Sequence, residues 1–218
     1  MNSIDIENMV SSAKNSGNGV KEIAHVLSTF VNRPTAGTNL YTVLTKICKS
    51  ISEISVEFRN SGQDMNPSYD FSNLQVSRNL VHILATFSEH HSPPINTRIS
   101  SSGLLLVSQV CRAVAQISKV DDKERAHLVQ IGMLRQIVGT LNIILDAMLA
   151  RTKGSKEPST IQVAEKLDQV IFWSCNAMYF VCVWGKDINA LICVGGVPLL
   201  KRLGSIVEEK DQNYTHVV

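Results

Sequence analysis

Side chains able to do chemistry are thinly spread along this sequence. His90-His91, next to Pro93-Pro94, is the place that most invites a metal. Adjacent histidines point different ways and no cysteine or carboxylate stands at ligand spacing, so an exposed loop is expected there. Cys175 and Cys182 are seven residues apart on one helix face, while Cys48, Cys111 and Cys193 are scattered. Without a basic neighbour to hold a thiolate they read as unreactive thiols. An odd number of cysteines with no Cys-x-x-Cys pair points to a reduced, intracellular (cytoplasmic) chain. His127 reads as a surface histidine, and Asp121-Asp122 with Glu124 as charges at a helix start. Gly195-Gly196 precedes a helix but lacks the lysine and hydroxyl of a phosphate loop. Arg151, Lys153 and Lys156 form a small solvated basic loop. Trp173, Tyr179, Phe180 and Trp184 read as core and stacking surface, and would be an interface hot spot if exposed. No catalytic residue, cofactor or metal ligand emerges, and an enzyme is not expected.

The chain around these residues has 218 positions, 44% hydrophobic and 18% charged, enough apolar content for one domain with a core. Lysine and arginine number 21 against 19 acidic residues, for a net charge of +2, so no electrostatic footprint for nucleic acid is present. Val170–Trp184 is the most apolar stretch, too short for the roughly 20 residues of a membrane span. No signal or transit peptide is expected at Met1–Val10.

Strand and hairpin signals are nearly absent, and helical spacing recurs. Ile23, Val26, Leu27 and Phe30 share one face of a helix that ends at Asn32-Arg33-Pro34. Leu40, Leu44, Ile47, Ile51, Ile54 and Phe58 predict a longer helix closed by Asn60-Ser61-Gly62, with a loop over Ser61–Ser72. A third helix is expected over Leu74–Glu89, and a fourth from the hydroxyls Ser100 to Ser102 onward, burying Leu104, Leu105, Val107, Cys111 and Val114. After a charged turn at Lys119–Lys123, an apolar run from Leu128 to Leu149 is broken at Gly132 and Gly139. Arg151–Ser159 reads as a loop, Ser159 and Gln162 as a capping box for a helix to Val183, and Pro198–Lys210 as a last helix. The fold class is all-α, either a closed bundle or a stacked solenoid.

An internal repeat favours the solenoid. Glu124–Val138 and Asp187–Lys201 each open on an acidic residue, eight positions before Gly132 and nine before Gly196, and place an aliphatic residue four before that glycine, with apolar positions after it. Asn96–Leu106, around Gly103, is a weaker third copy. A glycine between a short and a longer helix permits a sharp bend. This pattern resembles the armadillo repeat over about residues 78–210. The resemblance implies an armadillo-like α-solenoid, with residues 1–77 as a helical cap and 78–218 as the repeats. The glycine intervals, 29 and then 64 residues, depart from the family's roughly 40 to 47, so a HEAT-like array or irregular bundle stays open.

The resemblance also implies a concave groove lined by third helices. Its residues here would be His82 and Thr86, Arg112 and Gln116, and Asn176 and Tyr179, with Arg112 the leading contact. These pairs lack the tryptophan–asparagine ladder of nuclear-import adaptors, and the basic residues Arg78, Arg112 and Lys119 are too few for a catenin-like groove. The expected function is a non-enzymatic scaffold or adaptor for protein partners. The alternative is a structural subunit of a large assembly, membrane-associated through 170–184. A last repeat that looks incomplete would leave apolar stacking surface for a covering subunit or a second copy.

Overall fold

In a computed structural model, residue 8 and residues 19–31, 38–61, 71, 75–92, 99–120, 122–152, 160–183 and 187–215 are described, and no strand occurs among them. Helix α1 spans Gly19–Val31, α2 Thr38–Ser61, α3 Val76–His91 and α4 Ser101–Ile117. The short α5 is Asp122–Gln130, α6 is Met133–Thr152, and α7 is Thr160–Met178, prolonged by a π-helical turn at Tyr179–Val183. Helix α8 is Ile188–Cys193 and α9 is Gly196–Thr215. Expectations placed on Asn32-Arg33-Pro34, on residues 62–70, on Pro93-Pro94, on Asp121, on 153–159 with Ser159 of the capping pair, and on Trp184 lie outside the described residues.

The helix ends follow from local chemistry. The Ser100 hydroxyl accepts the Gly103 N–H at 3.1 Å, the N-cap expected there. At the other end of α4 the Ser118 hydroxyl donates to the Val114 carbonyl at 2.7 Å. Arg125 of α5 then donates to the Ser118 carbonyl at 2.7 Å and pairs with Asp122. Carbonyls left over where α4 stops are thereby satisfied. Asp122 and Glu124 fall in the first turn of α5, where negative charge meets the positive end of the helix dipole.

The helices form two layers. In the first, α4 packs along α2 on one side and along α7 on the other. At the start of α2 and α4, Tyr41 lies beside Gly103, where a Cβ would stand 3.5 Å from the ring; near their ends, the Arg59 charge reaches Lys119. Arg112 of α4 stands over Trp173 of α7, and Lys119 stands over Phe180. Contacts that advance together in this way mean that α2, α4 and α7 run parallel. In the second layer α3 lies between α1 and α6, and α6 lies against α9. Polar contacts tie this layer, among them the Ser88 and Thr140 hydroxyls at 2.8 Å and Arg202 with Asp146 at 2.7 Å. One apolar core runs between the layers from Val20 to Leu203. Being central, α4 is buried almost all round, which is why its sequence is apolar well beyond a single stripe. Leu105, expected inside, is only half-buried.

The bend before each long second-layer helix is the same. Gln75, Gly132 and Gly195 are left-handed, with φ of 61°, 80° and 81°, and directly precede α3, α6 and α9. The carbonyl of each accepts the N–H four residues on: Asn79 at 3.0 Å, Gln136 at 3.2 Å and Leu199 at 3.4 Å. This corrects two sequence expectations. The counterpart of Gly132 is Gly195 rather than Gly196, which sits in α9 where a Cβ would come 2.3 Å from a Leu191 methyl carbon. Gly103 is no bend at all; it lies in the first turn of α4, and its bareness lets Phe87 close on the helix, 3.1 Å from where a Cβ would be. The third bend is at Gln75. Residues before Arg78 also do more than cap: α2 stands in one layer with α4 and α7, and the core crosses residue 77 without a break.

Candidate functional site

Helix α4 meets water along one line. Leu105, Gln109 and Arg112 are half-buried, Gln116 is 8% exposed, and Lys119 follows the helix end. Steps of three and four residues put them on one side of the helix. The flanks of α4 are taken by α2 and α7, and its back by α3. Among the described residues, the line therefore runs along the middle of the uncovered face of the α2–α4–α7 layer.

Polar atoms on this line are left unmatched. One carboxamide end of Gln109, Nε of Arg112 and one carboxamide end of Gln116 are shut off from solvent without a hydrogen-bond partner. A buried polar group without a partner costs about 1–3 kcal/mol; these three atoms are closed to solvent, and the Ser52 and Ser77 hydroxyls and Asn79 Nδ2 are unmatched in the same way on other helices. The α7 wall is aromatic. The Arg112 guanidinium lies 5.2 Å from the Trp173 ring centre, and Lys119 Nζ lies 4.0 Å from that of Phe180. Such contacts contribute about 0.5–2 kcal/mol each and hold both cations in place. Phe172 meets Trp173 edge-on at 5.0 Å, as Tyr179 meets Phe180 at 5.1 Å. The π-helical turn holds both members of the second pair, with Phe180 toward Lys119 and Tyr179 outward at 51% exposure. Burial holds the Lys119 ammonium below its usual range, and the neighbouring Arg59 charge adds to this.

The six residues expected from sequence separate into two groups. Arg112 and Gln116 lie on the α4 line, and Asn176 and Tyr179 on the adjoining α7. Asn176 Nδ2 donates to the Phe172 carbonyl at 2.9 Å, so part of its amide is already engaged. His82, exposed, and Thr86, half-buried, lie on α3, which belongs to the other layer. The helix that stands beside α4 in their stead is α2. Gln109 was missed, as was the alignment of Arg59 with Lys119. The signal for Gln109 was present: residues 109, 112, 116 and 119 are polar at helical spacing in an otherwise apolar segment.

The His90-His91 pair is not a loop. Both residues close α3, and His91 is buried, stacked on Phe87 at 4.3 Å with Nδ1 2.8 Å from the Phe87 carbonyl. His127 is half-buried, with its Nε2 enclosed and without a partner. Burial pushes the Cys48 thiol up, and pushes Cys111 up to about 12 although a Ser174 hydroxyl at 3.4 Å pulls the other way. Burial, with Asp187 second, pushes Cys182 up to about 12, and burial raises Cys175, which is half-buried. Cys193 is exposed. Among the described residues no three His, Cys, Asp or Glu side chains are grouped to hold a metal. No single described helix is long and apolar enough to cross a membrane; α5 and α6 pass such a test only as a pair bent by 61°. Compared with known protein families, with curated proteins and with solved structures, the chain matches none.

Proposed function

We propose that the chain is an armadillo-like α-solenoid and a non-enzymatic adaptor, whose α2–α4–α7 face docks an extended segment of a partner protein. The solenoid reading is supported by the recurring left-handed turn and by layers in which each helix mainly meets its neighbours. The docking reading rests on the line of half-buried Gln109, Arg112 and Lys119, the two cations held over the aromatic rings of Trp173 and Phe180. An extended polypeptide supplies both N–H and C=O groups along its length and so suits such a line. A photocrosslinking residue at Gln109, compared in cells with one at the exposed Arg135 on α6, tests this. Adducts are expected from position 109 that vanish on Arg112→Ala with Gln116→Ala. Equal labelling from both positions, or none from 109, would refute the docking face.

A second role, as a structural subunit, is favoured by a separate observation. Ile188 and Ile192 of α8 are 51% and 52% exposed, and Val197 and Leu200 of the adjoining α9 are 41% and 42% exposed. Apolar surface of this kind suits a covering subunit. Sizing the native particle decides: a particle of fixed stoichiometry supports this role, and a free species near 24.0 kDa removes it.

A further inference from the structure

We infer that the edge formed by α7, α8 and α9 seats a second copy of this chain, edge to same edge, with Asp187 of each protomer facing Lys201 of the other. The inference rests on the structural-subunit reading above and names the covering subunit. The exposed large apolar side chains among the described residues all lie on these helices: Phe172 and Tyr179, Ile188 and Ile192, Val197 and Leu200. Helix α8 packs on both the π-helical turn and α9, and so joins them. The internal repeat shows how the same positions fare elsewhere. Counted from the left-handed turns at Gly132 and Gly195, Val197, Leu200 and Gly204 of α9 correspond to Leu134, Ile137 and Leu141 of α6. The α6 residues are 2%, 1% and 1% exposed and belong to the core. Their α9 counterparts are all exposed, and a Cβ on Gly204 would meet nothing within 4 Å. A side that α6 buries is therefore bare on α9. Glycine is a poor residue inside a helix, and nothing within the protomer crowds this one; a second helix approaching closely accounts for it.

Charge selects the occupant. Asp187 opens α8 but its side chain does not cap that helix. Lys201 follows Val197 by four residues, on the same side of α9. Both are exposed, and neither makes an ion pair among the described residues. An apolar patch bordered by one unpaired charge of each sign is complementary to itself: under a twofold axis Asp187 meets Lys201 and Lys201 meets Asp187. A partner surface of a single sign would satisfy one of these charges and oppose the other. A head-to-tail contact between copies matches less well, because α1, at the other end of the helix order, turns Lys21, Glu22, His25 and Thr29 outward.

Sedimentation velocity of the purified full chain over a concentration series tests this, with a melting curve to verify that each variant folds. The unaltered chain is expected to shift with concentration from 24.0 kDa to twice that mass. Gly204→Gln puts a better helix former into open space, so it is expected to melt no lower while weakening the dimer about tenfold or more. Asp187→Lys and Lys201→Glu each set like charges opposite one another at both contacts, and each is expected to weaken it about tenfold or more. An equimolar mixture of those two variants is expected to regain the dimer, because in the mixed pair both contacts again join opposite charges. A chain that stays at 24.0 kDa up to its highest soluble concentration would overturn the second copy; a native particle of fixed stoichiometry would then still uphold the structural-subunit reading, with another protein on the edge. A dimer indifferent to Gly204→Gln, charge variants that dimerise as the unaltered chain does, or a mixture no better than its components would overturn the contact inferred here.

Discussion

Replacing Gln75 by glycine should stabilise the protein, although it removes a side chain. Gln75 holds φ 61° and ψ 9°, a conformation that costs an L-residue about 1–2 kcal/mol. Glycine adopts it freely but brings roughly 0.5–1 kcal/mol of extra unfolded-state entropy. The side chain lost is engaged only by a 3.5 Å exposed contact from Arg78, which contributes little. The net gain is about 0.5–1 kcal/mol, or about 1–4 °C in Tm for a chain of this size. Gly132→Ala is the mirror experiment. A Cβ there meets nothing within 4 Å, so the strain of φ 80° acts alone and the loss should be about 1 kcal/mol. Urea denaturation with unchanged slope and thermal melting both read these differences. A neutral or destabilising Gln75→Gly, or a harmless Gly132→Ala, would refute the equivalence of the bends.

Phe87 is 1% exposed between α3 and α4, so Phe87→Ala should cost about 3–5 kcal/mol in chemical denaturation. Burial holds the His91 imidazole below its usual range, offset by the Phe87 carbonyl contact and aided by His90. The unfolded chain therefore binds that proton more readily, and stability should fall as pH drops through about 6.5 and below, with His91→Gln flattening the slope of Tm against pH. Under native conditions at pH 8, mass spectrometry of alkylated protein should find Cys193 modified first and Cys48, Cys111 and Cys182 protected until the chain unfolds.

Helix periods were legible because burial on one side leaves a mark every three or four residues, as Ile23, Val26, Leu27 and Phe30 show. The Ser100 cap was legible because its hydroxyl acts locally. The turn at Gly132 was legible as a glycine, and the turn at Gly195 was misplaced by one because two glycines adjoin. Gln75 carries no such mark: its left-handed backbone stands beside a Val76 N–H that donates to the Phe71 carbonyl at 3.1 Å, a contact that residue type does not announce. Arg112 and Gln116 stand where the spacing suggested, but which helix lies beside α4 depends on long-range packing. With no copy of the repeat legible before Arg78, α2 offered no reason to be counted in the same layer, and His82 and Thr86 on α3 stood as candidates instead.

Helix α2 meets α7 chiefly by way of α4. A residue inserted within α4 would turn everything beyond it by about 100° and spoil both seams at once, whereas the same insertion in α2 or α7 spoils one. Natural variation in length should consequently collect in the connections and at the outer helices. In any lineage descended from a common ancestor with this chain, α4 should be the segment whose residue count drifts least.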